Sequence, residues 1–205
     1  MPGQMMHLYV GSRCWQQRNC QGDYGQFLLG CIAPDGVNAK GFASKEMRWH
    51  AHLRDENLSV WKENARRFYQ QQQREFCDRD YLFGYFVHVM TDILWDESFN
   101  QALDEKICAL TQDGGERNRL RWNELFLFDR AACFMDWWKD ARPAFAGAKA
   151  RAVNGICETM IELLQKDTLF WYERRLEAKY GTAPSCFVTL PDAEALAQTV
   201  IAQAL

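Results

Sequence analysis

What the sequence has little of narrows the classes of protein to which this chain can belong. Proline occurs only five times in 205 residues, and segments that alternate apolar and polar residues are few, which argues against a β-sheet protein. Lysine and arginine total 24 against 27 aspartate and glutamate, for a net charge of -3. Because no excess of positive charge is present, nothing in the composition indicates a nucleic-acid partner.

Segments that would direct the chain into or across a membrane are also missing. The residues Met1–Cys14 lack the basic stretch followed by an apolar stretch that is typical of a signal peptide. The most apolar stretch, Tyr81–Trp95, is interrupted by His88 and Asp92 and is too short to span a bilayer. We therefore expect a soluble, cytoplasmic protein.

The eight cysteines are scattered and contain no Cys-x-x-Cys pair. This spacing excludes the zinc-ribbon and thioredoxin-like motifs. Because no signal for export to an oxidising compartment is present, we expect reduced thiols, mostly packed in the core.

What the sequence does contain is a succession of amphipathic and apolar helical segments. A chain of 205 residues with 48% hydrophobic content suits one domain (1–205), and the pattern predicts an all-α bundle of roughly eight to ten helices. We expect a metal-site half over about residues 1–95 and a helical completion over 96–205, with Val37–Ser44 as a loop and a helix end at Arg142-Pro143. The predicted helices are Met5–Gln17, Tyr24–Ala33, Glu56–Arg74, Asp80–Leu94, Glu97–Leu110, Arg117–Asp140, Ala146–Tyr180 and Asp192–Leu205.

The pair His88 and Asp92 is the most informative feature of the chain. A separation of four residues on a helix puts an imidazole and a carboxylate on one face, one turn apart. Burying either group without a partner is costly, and both are ordinary ligands of Zn²⁺. A hydrogen-bonded His–Asp pair without a metal is the alternative interpretation.

Further candidate ligands precede this helix in the sequence. Asp35 lies in the turn Ala33–Gly36, where its carboxylate can point back across the core or serve only the turn itself. A helix carrying His88 and Asp92, together with a loop aspartate and a loop histidine, can supply three or four ligands to one metal. All four histidines of the chain lie in its first half: His7, His50, His52 and His88.

Aromatic side chains and one glycine flank the His88–Asp92 strip and are candidates for a substrate pocket. Gly84 lies one turn before His88 and permits a close approach by a ligand or by another backbone. Either a pocket or tight helix packing accounts for it. The candidate pocket residues are Tyr81, Gly84, Tyr85 and Trp95.

Three blocks of the first half resemble one known family. The segments Phe27–Asp35 (FLLGCIAPD), Arg48–Glu56 (RWHAHLRDE) and Leu82–Asp92 (LFGYFVHVMTD) are similar, in this order, to motifs of the zinc-dependent phospholipase C-like family of helical bacterial proteins. The G-Y-x-x-H-x-x-x-D block is the most specific of them. The resemblance implies a phospholipase C/P1 nuclease-like helical bundle around a buried metal site.

The resemblance also implies roles for individual residues. Asp35, His52, His88 and Asp92 match ligands of one zinc ion, and His7 matches an early histidine that binds a neighbouring one. His52 is the better match to the family's loop histidine, and His50 is the alternative. Asp35 is in addition the expected acceptor of a proton from the attacking water.

Two departures from the family stand out. No histidine follows His88, so a later metal cluster would depend on carboxylates, for which Glu124 and Asp129 in the weaker echo Trp122–Asp129 are candidates. Met1-Pro2 also cannot be assumed to act as the processed N-terminal tryptophan ligand of the secreted enzymes.

The expected activity is therefore that of a metal-dependent phosphoric ester hydrolase. It would hold one to three Zn²⁺ ions or other divalent metals and act on a phosphoester small molecule or a lipid headgroup. The rival is a non-catalytic binding module with a structural or degenerate metal site.

Overall fold

The computed structural model describes residues 2–18, 21–174 and 185–205, and within these ranges the fold is all-α with no β-strand. The predicted fold class is confirmed at this level. The α-helices are α1 (Gln4–Gln17), α2 (Tyr24–Gly30), α3 (Lys45–Ala51), α4 (Leu58–Gln72), α5 (Arg79–Leu94), α6 (Asn100–Cys108), α7 (Gly114–Cys133), α8 (Asp136–Gly147), α9 (Glu158–Arg174) and α10 (Leu190–Ala204). A 3₁₀ turn at Ala33–Asn38 follows α2, and a π turn at Trp95–Phe99 joins α5 to α6.

Helix α5 is the centre of the fold. It begins after Asp78, whose carboxylate accepts the Tyr81 N–H at 3.1 Å, and it confirms the predicted helix Asp80–Leu94 to within one residue. Every residue from Tyr81 to Leu94 is buried, as expected for a helix that is apolar on all its faces. Helices α1, α2, α4 and α10 pack around it. His88 and Asp92 are therefore placed where water does not reach them.

Two glycines allow α2 and α5 to cross at backbone contact. A Cβ atom on Gly84 would overlap the carbonyl oxygen of Phe27, and one on Gly30 would overlap that of Tyr81. Because side chains do not separate the helices here, the carboxyl end of α2 lies directly against the middle of α5. Gly84 thus serves tight helix packing, the second of the two functions expected for it.

The segment between α2 and α4 is more helical than predicted. Val37–Ser44 was expected to be a loop, but its first residues complete the 3₁₀ turn, and α3 begins directly after Ser44. The Ser44 hydroxyl accepts the Met47 N–H at 3.3 Å, which is an ordinary N-cap that composition alone did not reveal. Helix α4 then begins at Leu58, two residues later than expected, with Asn57 as its N-cap.

The predicted helix Arg117–Asp140 is wrong as a single element. The chain ends α7 at Cys133 and starts α8 at Asp136, so a break separates them. Pro143 was expected to end the helix, yet it lies inside α8. The missing N–H of Pro143 leaves the carbonyl of Lys139 without its intrahelical donor, and Lys139 is an exposed residue at which water can replace that donor.

The predicted helix Ala146–Tyr180 is also interrupted. Residues 148–157 are not helical, and Val153 and Ile156 form a short bridge around Asn154 and Gly155, which have φ values of 47° and 79°. Such an Asn-Gly pair is a strong turn signal that the helical periodicity masked. Helix α9 follows, and the remainder of the predicted helix, 175–180, lies outside the described residues.

The last helix lies where it was predicted, but it begins at Leu190 rather than at Asp192. Thr189 is the N-cap of α10, and its hydroxyl accepts the N–H of Asp192, whose carboxylate in turn accepts the N–H of Thr189 at 2.8 Å. Asp192 is therefore the third residue of a capping box. Among the described residues, no helix has the length and apolar character needed to cross a bilayer.

Candidate metal centre

Four elements of the first half bring five predicted ligands to one place. The 3₁₀ turn supplies Asp35, the carboxyl end of α3 supplies His52, and α1 and α5 supply the other three. The Asp35 side chain is 16% exposed, whereas the other four are at most 1% exposed. The five side chains are His7, Asp35, His52, His88 and Asp92.

Asp92 is at the centre of the cluster. Its Oδ1 lies 3.4 Å from His7 Nε2, and its Oδ2 lies 3.6 Å from both His52 Nε2 and His88 Nε2. On the far side of His52, Asp35 Oδ1 lies 3.4 Å from the same Nε2. Two ligands about 2.1 Å from a tetrahedral zinc ion are themselves about 3.4 Å apart, so these separations are compatible with ligand atoms around an ion.

Backbone carbonyls orient two of the imidazoles. His88 Nδ1 lies 2.7 Å from the Cys31 carbonyl oxygen, and His52 Nδ1 lies 2.8 Å from that of Arg48. An Nδ1–H that donates to a carbonyl leaves Nε2 with its lone pair, and both Nε2 atoms face the cluster. The glycine-mediated crossing of α2 and α5 is what brings the Cys31 carbonyl to His88.

His7 reaches the cluster from α1 by stacking on His88. The ring centroids are 3.8 Å apart and the planes are 11° from parallel. Gly11, one turn later on α1, permits this approach, because a Cβ there would contact Cys31 Sγ at 2.6 Å. Neither ring nitrogen of His7 has a hydrogen-bond partner among the described residues.

The carboxyl end of α3 is fixed by three side chains, so His52 is held in place. Trp61 Nε1–H donates to the His52 carbonyl at 2.7 Å, and the Tyr85 hydroxyl donates to the Ala51 carbonyl. Asn154 Nδ2 then donates to both the His50 carbonyl and the Tyr85 hydroxyl, at 2.8 and 3.0 Å. Tyr85 therefore positions the backbone that carries His52.

The electrostatics of the cluster favour ionised carboxylates and a neutral His88, but they favour the protonated form of His52. Burial acts to raise the pKa of Asp92, but His7 and His88 outweigh it and hold the pKa well below its ordinary value, so the carboxylate is ionised. Burial lowers the pKa of His88, which keeps that imidazole neutral. Burial opposes the charged form of His52 as well, but Asp35 and Asp92 raise its pKa.

The same groups lack conventional partners. Both oxygens of Asp92 and the Nε2 atoms of the three clustered histidines are buried without a hydrogen bond among the described residues. Unpaired buried polar atoms are costly, and these converge on a common centre. Two overlapping ligand sets share His88: one adds His7 and Asp92, the other adds Asp35 and His52, and within each the ligand atoms lie within 4.8 Å. The cluster could hold a metal ion.

The less favoured candidates lie elsewhere. His50 is exposed, with its ring near Gly155 and away from the cluster, so the structure brings His52 rather than His50 to the centre. Glu124 is buried, but its Oε2 accepts hydrogen bonds from Ser185 Oγ and from the N–H groups of residues 186 and 187. Asp129 accepts the Met6 N–H at 3.3 Å near the start of α1.

The four residues that were expected to line a substrate pocket do not line the cavity beside the cluster. The side chains of Tyr81, Tyr85 and Trp95 are buried in the core at 0–2% exposure, and Gly84 is covered by α2, so these four do not line the cavity beside the cluster. That cavity measures about 240 Å³ and begins at Asp35. Other residues around it include Asn38, Phe42, Arg48, Trp122, Asp129 and Asp167.

Sequence reasoning missed Arg48 and the aromatic edge of this cavity. A usable signal was present for Arg48, which precedes His52 by one helical turn and so shares its face of α3. No comparable signal marked Phe42 or Trp122, because they come from segments distant in sequence and meet only in the folded chain.

Comparison with protein-family models, with curated proteins and with solved structures found no match to this chain.

Proposed function

We propose that this protein is a zinc-dependent phosphoric ester hydrolase with a phospholipase C/P1 nuclease-like arrangement of helices. One observation carries the proposal: unpartnered nitrogen and oxygen atoms of four side chains, His7, His52, His88 and Asp92, converge in the core, and Asp35 beside them lines a cavity. An internal His–Asp pair would use up its polar atoms in hydrogen bonds, whereas these atoms have none among the described residues.

The composition of the cluster favours zinc over other common metals. Three imidazoles and two carboxylates suit Zn²⁺, whereas Mg²⁺ and Ca²⁺ prefer oxygen ligands throughout. In the proposal Asp35, His52, His88 and Asp92 hold one ion. The Oδ1 of Asp92, which faces His7 at 3.4 Å, is available for a neighbouring ion.

The proposed reaction uses a zinc-bound water as the nucleophile and Asp35 as the proton acceptor. When bound, zinc would acidify a coordinated water to a pKa of about 7 and polarise a phosphoryl oxygen. Asp35 is placed to accept a proton from the attacking water, since it alone belongs to both the cluster and the cavity. Burial acts to raise the pKa of Asp35, but the neighbouring His52 outweighs burial and lowers this pKa. The Asp35 carboxylate is therefore ionised and able to accept a proton.

The position of the cavity supports the hydrolase over its rival. A structural zinc is enclosed by its protein ligands, while a catalytic zinc keeps one side open to substrate. Here four ligands are sealed in the core and the fifth, Asp35, is partly exposed toward the cavity. A structural or degenerate site would need no such opening.

The substrate class is proposed from the family resemblance, and the size of the cavity is compatible with a small substrate. A volume of about 240 Å³ suits a phosphoester small molecule or the headgroup of a lipid. In the proposal the protein acts in the cytoplasm on such a substrate, and nucleic acid is not its partner.

The test is hydrolysis of a panel of chromogenic phosphate mono- and diesters by zinc-loaded protein, with two histidine variants. His52→Ala removes a ligand, while His50→Ala removes an exposed imidazole two residues away and serves as the matched control. We expect turnover by the wild type and by His50→Ala, and a loss of at least about a hundredfold in His52→Ala. Zinc-loaded wild type without activity on any ester would support the structural rival.

A further inference from the structure

Arg48 lies beside the candidate metal centre without belonging to it. It lines the cavity that begins at Asp35, and it precedes His52 by one turn of α3. Among the described residues that line this cavity, Arg48 carries the one positive side-chain charge. Its backbone carbonyl already serves the cluster by accepting the Nδ1–H of His52 at 2.8 Å.

The guanidinium of Arg48 is held in place but has no anionic partner. It stacks over the ring of Phe42, with its central carbon 4.4 Å from the ring centroid. Its Nε is buried without an acceptor, and no ion pair among the described residues involves Arg48. By contrast, Arg54, which follows α3 in the chain, also stacks on aromatic rings, but its guanidinium is paired with the Asp96 carboxylate at 2.7 Å. A fixed cation with a buried, unused donor requires an acceptor from elsewhere.

The charge of the cluster indicates which kind of acceptor fits. One Zn²⁺ ion contributes two positive charges, and Asp35 and Asp92 contribute one negative charge each, so a site with one ion is neutral. A phosphoryl group that enters this site brings negative charge that the neutral site does not balance. Asp129 and Asp167 add negative charge to the cavity wall, and Arg48 is the one positive side chain among its described residues that can offset the charge of the phosphoryl group.

We infer that Arg48 binds the phosphoryl oxygens of the substrate and selects esters with an anionic phosphoryl group over neutral esters. The inference rests on the proposed hydrolase function and names the residue that gives the site its preference. The planar fork of arginine donates two parallel N–H bonds to two oxygens of a tetrahedral anion. Stacking on the exposed ring of Phe42 restricts the orientations of that fork.

The chain supplies the matched variants for a test. Arg48→Gln removes the charge but keeps the backbone carbonyl that orients His52, so zinc binding should survive. Arg48→Lys keeps the charge and loses the fork. Arg66→Gln removes an equal charge from the exposed surface of α4, outside the cavity, and is the control.

The experiment measures zinc content and the affinity for inorganic phosphate, by calorimetric titration of the zinc-loaded proteins. We expect all four proteins to retain zinc, and Arg48→Gln to bind phosphate roughly ten- to a hundredfold more weakly than the wild type. Arg48→Lys should lie between these two, and Arg66→Gln should equal the wild type.

The two proposals fail in different ways. Full zinc content with unchanged phosphate affinity in Arg48→Gln would overturn the inference about Arg48 and leave the hydrolase proposal standing. A wild type that holds no zinc would overturn the hydrolase proposal, and the inference that rests on it would fall with it. A third outcome would also contradict the inference. If Arg48→Gln lost zinc while Arg48→Lys kept both its zinc and the phosphate affinity of the wild type, Arg48 would belong to the metal centre.

Discussion

Asp92 and Glu124 are both buried carboxylates on long helices, yet their surroundings are opposite. The Oε2 atom of Glu124 accepts hydrogen bonds from three donors, at 2.7 to 2.8 Å. Among the described residues, Asp92 has no hydrogen-bond donor on either oxygen and faces the Nε2 atoms of His7, His52 and His88 instead. A carboxylate with a structural role is saturated by N–H and O–H groups, whereas one that awaits a metal is faced by lone pairs.

The same contrast separates the two halves of the chain. Within the described residues, all five members of the cluster come from the first 92 positions, and the two later acids considered as ligands, Glu124 and Asp129, accept protein N–H groups. The later half contributes to the wall of the cavity, through Leu125, Phe126 and Leu164 among others. The predictions below test this division, from the largest expected effect to the smallest.

Removing zinc should destabilise the wild-type protein more than any single substitution outside the cluster. Chelation leaves Asp92 and the histidines buried without partners, and ligand binding at about a thousand times Kd contributes about 4 kcal/mol. For a chain of this size that corresponds to a fall in Tm of roughly 10 °C, measurable by calorimetry. Asp92→Asn should show the same Tm with and without zinc, and a variant that still responded to zinc would break the comparison.

Gly84→Ala should weaken both the fold and the metal site. The new methyl group would overlap the Phe27 carbonyl and push α2 from α5, which also draws the Cys31 carbonyl away from His88. We expect a loss of about 1–3 kcal/mol in denaturant unfolding, together with weaker zinc binding. Gly147→Ala is the control, because its Cβ meets nothing within 4 Å, and equal effects of the two substitutions would contradict the account.

Glu124→Gln should lower stability without touching the metal. The substitution replaces charge-assisted hydrogen bonds to residues 185–187 by neutral ones, for an expected loss of about 1–2 kcal/mol in urea unfolding. Zinc content, measured on the same preparation, should remain that of the wild type. Loss of zinc in this variant would make Glu124 a ligand and remove the difference between the two carboxylates.

Zinc affinity should fall as the pH is lowered through the pKa of His52. Burial opposes protonation, but Asp35 and Asp92 raise this pKa above its ordinary value of 6.5, and below it a proton occupies the ring nitrogen that zinc requires. Affinity should then drop about tenfold per pH unit, observed by competition with a chromogenic chelator. The metal-free protein should show the opposite sign, since the stability contributed by protonated His52 is full below pH 6.5 and is lost as the pH rises through the raised pKa. A pH-independent affinity across this range would count against His52 as a ligand.

The central helix and its His88–Asp92 pair were predictable because their signals are local. The spacing of His88 and Asp92, and the apolar residues around them, define α5 without knowledge of the rest of the chain. Asp35 was a candidate because of its turn, His52 was preferred to His50 through a family resemblance, and the structure brings both to the same centre. The convergence of ligands from α1, α3 and the 3₁₀ turn is tertiary, and periodicity alone does not give it.

The short helix α3 and the turn before α9 were missed because their sequence signals are weaker than those of the neighbouring segments. Ser44 as a cap and Asn154-Gly155 as a turn are each clear on inspection, but a short helix and a short break carry too little periodicity to override their neighbours. The cavity could not be predicted, because the chain joins Phe42 and Trp122 across 80 residues and neither position is unusual by itself. The aromatic residues nearest to His88 in sequence were buried instead, since α5 is enclosed on all sides.

The most direct test of the metal centre is elemental analysis of protein purified without an affinity tag, for wild type, His88→Ala and His50→Ala. The account predicts at least one equivalent of zinc per chain in wild type and His50→Ala, and its loss in His88→Ala, because both overlapping ligand sets include His88. Wild-type protein that holds no zinc in chelator-free buffers would contradict the account and reduce His88 and Asp92 to a buried pair in the core.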